Sequence, residues 1–140
     1  MKSIFFIFSV ITVFILSGCF NFSGRALSAE TNIAQAVKYQ KIAPEEAKRM
    51  MDDGEAFILL DVRTEEEFET KRIEGAVLIP DYEIKERAPA ELPDKNAQIL
   101  VYCRSGRRSA QAAENLIKMG YANVYDFGGI IDWPYETVGD

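Results

Sequence analysis

Histidine is absent from all 140 residues. That absence removes Cys-His proteases, Ser-His-Asp hydrolases and imidazole-based zinc sites together. Cysteine is nearly absent: only Cys19 and Cys103 occur, too few for a disulfide framework. Positive charge is in deficit, with 16 Lys and Arg against 22 Asp and Glu, for a formal net charge of −6. A nucleic-acid binder needs a basic face to neutralise phosphates, so none is expected here. Apolar residues at 48% and charged residues at 27% are ordinary for a globular domain, and 140 residues allow one such domain with a core of its own.

Long apolar runs are also missing, except at the start. Ile4 to Leu16 is interrupted only by Ser9 and Thr12 and follows a single basic residue, Lys2. This is short for a bilayer span and fits the apolar region of a signal peptide. It runs into Leu16-Ser17-Gly18-Cys19, which resembles the bacterial lipobox, whose cysteine is diacylated and becomes the new N-terminus. The expectation is a lipoprotein signal over residues 1–18, a lipid-anchored tether over 19–38 and a folded domain over 39–140. An uncleaved anchor with a bystander Cys19 is a second reading. Ordinary cleavage near Ala29 is a third, although it sets the bulky Leu27 two residues before the cut. Either anchored reading puts the domain outside the cytoplasm, in the cell envelope, on the membrane through lipid rather than through a basic surface.

From Tyr39 onward strand and helix signals alternate. Tyr39–Ile42 reads as a short strand. Pro44, Glu45 and Glu46 open a helix that stops at Asp53-Gly54. Phe57–Leu60 is a continuous apolar run ending at Asp61, the signature of a strand buried on both faces. Thr64 and Glu67 match a capping box, predicting a helix over 65–71. Ala76–Ile79 is a short strand stopped by Pro80. Residues 81–96, polar and holding Pro89 and Pro93, predict a loop with a single helical turn. Gln98–Tyr102 is a second strong strand. The next segment places Ala110, Ala113, Leu116 and Ile117 on one helical face up to Gly120. Asn123–Phe127 reads as a last strand, and Gly128-Gly129 as the start of a turn around Trp133. The alternation implies an α/β fold, a mostly parallel sheet with helices on both faces. Ligands of such sheets sit at the carboxyl ends of the strands, where Asp61 and Cys103 fall.

The stretch Cys103-Arg104-Ser105-Gly106-Arg107-Arg108-Ser109 lies between a strand and a helix. A loop there can turn several amides inward, with Gly106 easing the tight turn. A unit charge about 6 Å from the sulfur, at an effective dielectric of about 20, is worth roughly 2.8 kcal/mol. Arg104, Arg107 and Arg108 are therefore expected to hold Cys103 as a thiolate at neutral pH without any base.

Several separated motifs join this loop: Asp61-Val62-Arg63, Glu67-Phe68, Ile73-Glu74-Gly75-Ala76-Val77-Leu78-Ile79-Pro80, Gly120-Tyr121 and Phe127-Gly128-Gly129-Ile130-Ile131-Asp132-Trp133. In this order and spacing they resemble a single-domain rhodanese, a sulfurtransferase. The resemblance implies that Cys103 attacks the outer sulfur of thiosulfate or a polysulfide or persulfide donor and becomes a persulfide. It further implies that Arg104, Ser105, Gly106, Arg107 and Arg108 form an anion cradle, with Asp61 and Arg63 supporting the loop. Arg108 is expected to pair with Asp61 or Glu67. Related domains acting on phosphate or arsenate carry five residues between cysteine and arginine. Here four separate Cys103 from Arg108, which favours sulfur. Family members often have Gly-His where this chain has Lys71-Arg72, and Arg72 is expected to cap or pair locally. No metal or cofactor is called for. The expected partners are a small sulfur-containing anion or persulfide donor and an external thiol acceptor, since no second thiol remains to resolve the persulfide. The protein is read as a monomer. A non-catalytic persulfide carrier or redox sensor, and a simple anion-binding module, stand as the alternatives.

Overall fold

A computed structural model describes residues 38–139. The readings made for residues 1–37, Cys19 included, lie outside the described residues. Five strands, β1 (Gln40–Lys41), β2 (Phe57–Asp61), β3 (Val77–Leu78), β4 (Gln98–Cys103) and β5 (Asn123–Gly129), alternate with four helices. The helices are α1 (Pro44–Asp52), α2 (Glu65–Thr70), α3 (Ile84–Glu91) and α4 (Arg107–Lys118). A 3-10 turn, Ile130–Asp132, follows β5. The strands form one parallel sheet in the order β1-β5-β4-β2-β3. The two apolar runs, β2 and β4, are central in that order and buried on both faces, as a parallel sheet requires.

The core divides at the sheet. On one side Leu60, Val62, Ile99, Val101 and Val124 pack against Ile84, Ala88 and Leu92 of the α3 region and Ala112, Ala113 and Leu116 of α4. On the other, Leu59, Leu100, Tyr102 and Phe127 meet Ala47 and Met50 of α1, together with Ile73, Ile130 and Trp133. Ring contacts run from Tyr102 to Phe127 to Trp133, each at 5.4 Å between centroids.

The α2 capping box is formed in full: the Thr64 hydroxyl accepts from the Glu67 amide and the Glu67 carboxylate accepts from the Thr64 amide. Three expectations are corrected. The loop expected over 81–96 carries a helix of two turns, α3. Ile84, Ala88 and Leu92 recur at four-residue spacing on the buried side, and Pro89 sits exposed in the last turn. The buried face of α4 is Ser109, Ala112, Ala113 and Leu116, one step from the expected stripe, with Ala110 and Ile117 only half-buried. β5 also runs two residues further than expected, through Gly129. Among the described residues no helix is long and apolar enough to cross a membrane.

Candidate active site

Cys103 is the last residue of β4, and α4 begins four residues later. A register irregularity between Val101 and Cys103 sets Cys103 opposite Gly129 of β5 and tips the chain into its loop. Gly106 precedes the helix with φ +95°, a conformation other residues adopt only at a cost. The loop is clamped from β5: an added Cβ at Gly129 would lie 2.3 Å from the Arg104 carbonyl oxygen and 2.6 Å from Ser105 Cα. Only glycine allows that approach. The Ile131 amide then donates to the Arg104 carbonyl at 3.3 Å.

Cys103 is 1% exposed, and its sulfur receives the Gly106 amide at 3.1 Å. Ser109, fully buried, places its hydroxyl 3.6 Å from the sulfur and donates toward the carbonyls of Gly106 (3.1 Å) and Gly128 (3.3 Å). Burial pushes the thiol up. Hydrogen bonds from the Ser109 hydroxyl and from the amides of Ser109, Gly106 and Ser105 outweigh it, so the group ionises below its ordinary value. This corrects, in part, the cause expected from the sequence: Arg104 and Arg107 are exposed, Arg108 is the arginine whose charge is coupled to the sulfur, and oriented dipoles at contact distance do most of the work.

Arg108 lies closer to the machinery. Its two terminal nitrogens each donate to a Glu67 oxygen at 2.8 Å, tying the first turn of α4 to α2. Of the two partners expected for it, Glu67 is the one found. Arg108, helped by the Thr64 amide, holds the Glu67 carboxyl down at about 2. Asp61 pairs with Arg63 instead, at 2.6 Å, with both side chains at most 4% exposed. The Asp61 carboxylate also accepts from the Arg63 amide, and the Tyr102 hydroxyl accepts from the Ile73 amide at 3.2 Å, with the Asp61 charge helping to hold the phenol protonated. This buried network sits beneath the carboxyl ends of β2 and β4, one residue before Cys103. Asp61 and Arg63 thus brace the platform without touching the sulfur.

Sequence reasoning passed over two contributors. Ser109 entered only as the last residue of the Cys103 stretch, with no role given to it, although the hydroxyl beside the sulfur is its own. Gly129 was read as turn geometry, whereas its contact with the Arg104 carbonyl is what seats the loop. Arg72 donates to the carbonyls of Phe68 and Glu69 and lies over the Phe68 ring at 5.1 Å, so it closes the end of α2 as expected. Its neighbour Lys71 faces a pocket beside the loop.

A buried cysteine whose sulfur is met by a loop amide at the carboxyl edge of a parallel sheet, with a helix starting directly behind it, is a site built to favour the thiolate form. The Rhodanese-like domain family matches residues 43–134, and the chain belongs to that family. Thiosulfate sulfurtransferase PspE of Escherichia coli K12 is 45% identical over 73 residues, 52% of this chain and 70% of that protein. A sulfurtransferase of Allochromatium vinosum is 37% identical over 94 residues, 66% of this chain and 86% of the relative. A solved rhodanese with anions from E. coli superposes with a TM-score of 0.57 at 41% identity, covering 61% of this chain and all of that one. Larger relatives also match: the chain spans 28% of the length of the probable adenylyltransferase/sulfurtransferase MoeZ of Mycobacterium tuberculosis.

Proposed function

We propose that this protein is a sulfurtransferase that carries sulfane sulfur on Cys103. The observation that supports it most is the sulfur itself, buried, met by the Gly106 amide at 3.1 Å and flanked by the Ser109 hydroxyl. In the first half-reaction the thiolate attacks the outer sulfur of thiosulfate. The Cys103 S–S bond forms, the donor S–S bond breaks, and sulfite leaves with the electron pair. No proton has to be supplied, which suits a site without histidine. The amides that hold the thiolate then face the persulfide, whose outer sulfur carries the negative charge. In the second half-reaction an external thiolate takes that outer sulfur and Cys103 returns as thiolate. Arg104, Ser105, Gly106, Arg107 and Arg108 form the anion cradle in this reading. A persulfide or polysulfide donor enters by the same chemistry.

The domain acts outside the cytoplasm as a monomer, held to the bacterial membrane by diacylated Cys19 after removal of residues 1–18. Labelling with a radioactive fatty acid tests this: label on the wild type and none on Cys19→Ala is expected, and equal label on both would overturn it. For the reaction, the protein is incubated with thiosulfate and cyanide and thiocyanate is measured. Turnover abolished by Cys103→Ser supports the enzyme. Stoichiometric persulfide without turnover would make it a carrier, and no sulfur adduct at all would leave only an anion-binding module.

A further inference from the structure

A pocket of about 400 Å³ opens beside the Cys103 loop, with Arg63, Glu66, Glu67, Lys71, Arg104 and Ile131 on its walls. It shares two walls with the active site: Arg104 follows Cys103 directly, and Glu67 is the residue that ties down Arg108. Its charges sort by pairing. Glu67 is neutralised by Arg108, and Arg63 by Asp61. Lys71, Arg104 and Glu66 have no ion pair among the described residues, so two free cations face one free carboxylate in a chain of net charge −6. The floor is pre-set: Arg63 has Nε and Nη2 fixed by Asp61 and the Lys71 carbonyl, leaving Nη1 without a partner among the described residues. The apolar shoulder is Ile131, 63% exposed despite its size.

We infer that this pocket is the seat of the sulfur acceptor's tail, and that it selects small thiols carrying a carboxylate on a short apolar arm. The inference rests on the sulfurtransferase reading above. The thiol end reaches the persulfide past Arg104, the arm lies on Ile131, and the carboxylate meets Lys71 and Arg104 over the Arg63 guanidinium. The acceptor thiolate attacks the outer sulfur, the Cys103 S–S bond breaks, and the product persulfide leaves as Cys103 thiolate reforms; charge and electrons balance with no further reactant. Lys71 is the specificity residue, and Glu66 opposes it.

The test preloads the full-length protein with sulfur from thiosulfate and times its discharge at low salt to mercaptoacetate, 2-mercaptoethanol and cysteamine. The readout is the ratio of rates between acceptors, so intrinsic thiol reactivity cancels between variants. Lys71→Gln should lower the mercaptoacetate to 2-mercaptoethanol ratio by about two- to fivefold, the range of an exposed ion pair. Glu66→Gln should raise it, and Lys71→Glu should favour cysteamine. A ratio unmoved by Lys71→Glu, or moved equally by the charge-matched Lys118→Glu at the far end of α4, would overturn the inference. A second measurement needs no turnover: (methylthio)acetate is titrated into Cys103→Ser and amide shifts are followed by NMR. Shifts at Glu66, Lys71 and Ile131 that vanish in the additional Lys71→Glu variant are expected; shifts absent or located elsewhere refute the pocket. If the protein takes up no sulfur, the sulfurtransferase reading fails, and the titration still decides the pocket.

Discussion

The Ser109 hydroxyl carries one proton and has three acceptors in reach: the Cys103 sulfur at 3.6 Å, Gly106 O at 3.1 Å and Gly128 O at 3.3 Å. While Cys103 is a thiol, its proton points to the Ser109 oxygen and the hydroxyl proton goes to a carbonyl. Once the sulfur ionises, the hydroxyl can turn to it. Ser109→Ala removes that choice. A hydrogen bond to a charged group contributes about 1.5–3 kcal/mol, and the long contact to sulfur sets this one at the low end. About 1.5 kcal/mol is roughly a tenfold loss of thiolate at any pH below the transition. The rate of alkylation by iodoacetamide, followed across pH, reads this directly, with circular dichroism confirming that the variant is folded. Arg104→Gln and Arg107→Gln serve as contrasts: both side chains are exposed, and screening at physiological salt should keep their effects under about twofold. If either arginine variant slows alkylation as much as Ser109→Ala, or Ser109→Ala changes nothing, the assignment of the thiolate to local hydrogen bonds is refuted.

Glu67→Gln should cost about 1–2 kcal/mol in urea unfolding, less than the nominal 3 kcal/mol implied by a carboxyl held at about 2, because solvent reaches both partners. The folded-state value is depressed, so this stabilisation is present above the unfolded carboxyl range. It is lost as pH falls from about 4.5 toward 2, and that part of the acid slope should flatten in the variant. Gly129→Ala drives a Cβ into the Arg104 carbonyl and should cost about 3 kcal/mol and displace the loop. Gly128→Ala, with nothing within 4 Å but φ +90°, should cost only about 1–2 kcal/mol; thermal melts of the pair check the order. Asp61→Asn strands the buried Arg63 charge and should cost about 3–5 kcal/mol in the same melts, with Asp61→Asn/Arg63→Met recovering part of it.

Much of the fold is legible because its signals are local. The capping box of Thr64 and Glu67, the apolar runs of β2 and β4 and the Pro44 helix start each lie within a few residues, and each element formed where its signal stood. The helix α3 was hidden because Pro89 and Pro93 read as breakers, while the three residues that bury it, Ile84, Ala88 and Leu92, are spread through a polar segment. At the site, Cys103 and its loop stand out by composition. What lies beyond reach is contact across the sheet: Ser109 meets the Gly128 carbonyl 19 positions away, and Gly129 meets the Arg104 carbonyl from a neighbouring strand. The cause of the shift at Cys103 was legible only in its Arg108 part, for a related reason. Three arginines are visible in the sequence, whereas the direction in which loop amides point is set only when the β4 irregularity and the Gly106 turn are built.

Everything rests on Cys103 accepting a sulfur atom. The direct test is intact-mass spectrometry of the full chain carrying Cys19→Ala, so that one thiol remains, after incubation with thiosulfate and removal of excess. Gain of a single sulfur, lost again on adding an external thiol and never formed by the Cys103→Ser variant, is the result expected. A folded, reduced protein that gains no sulfur, or that gains it equally without Cys103, would contradict the account.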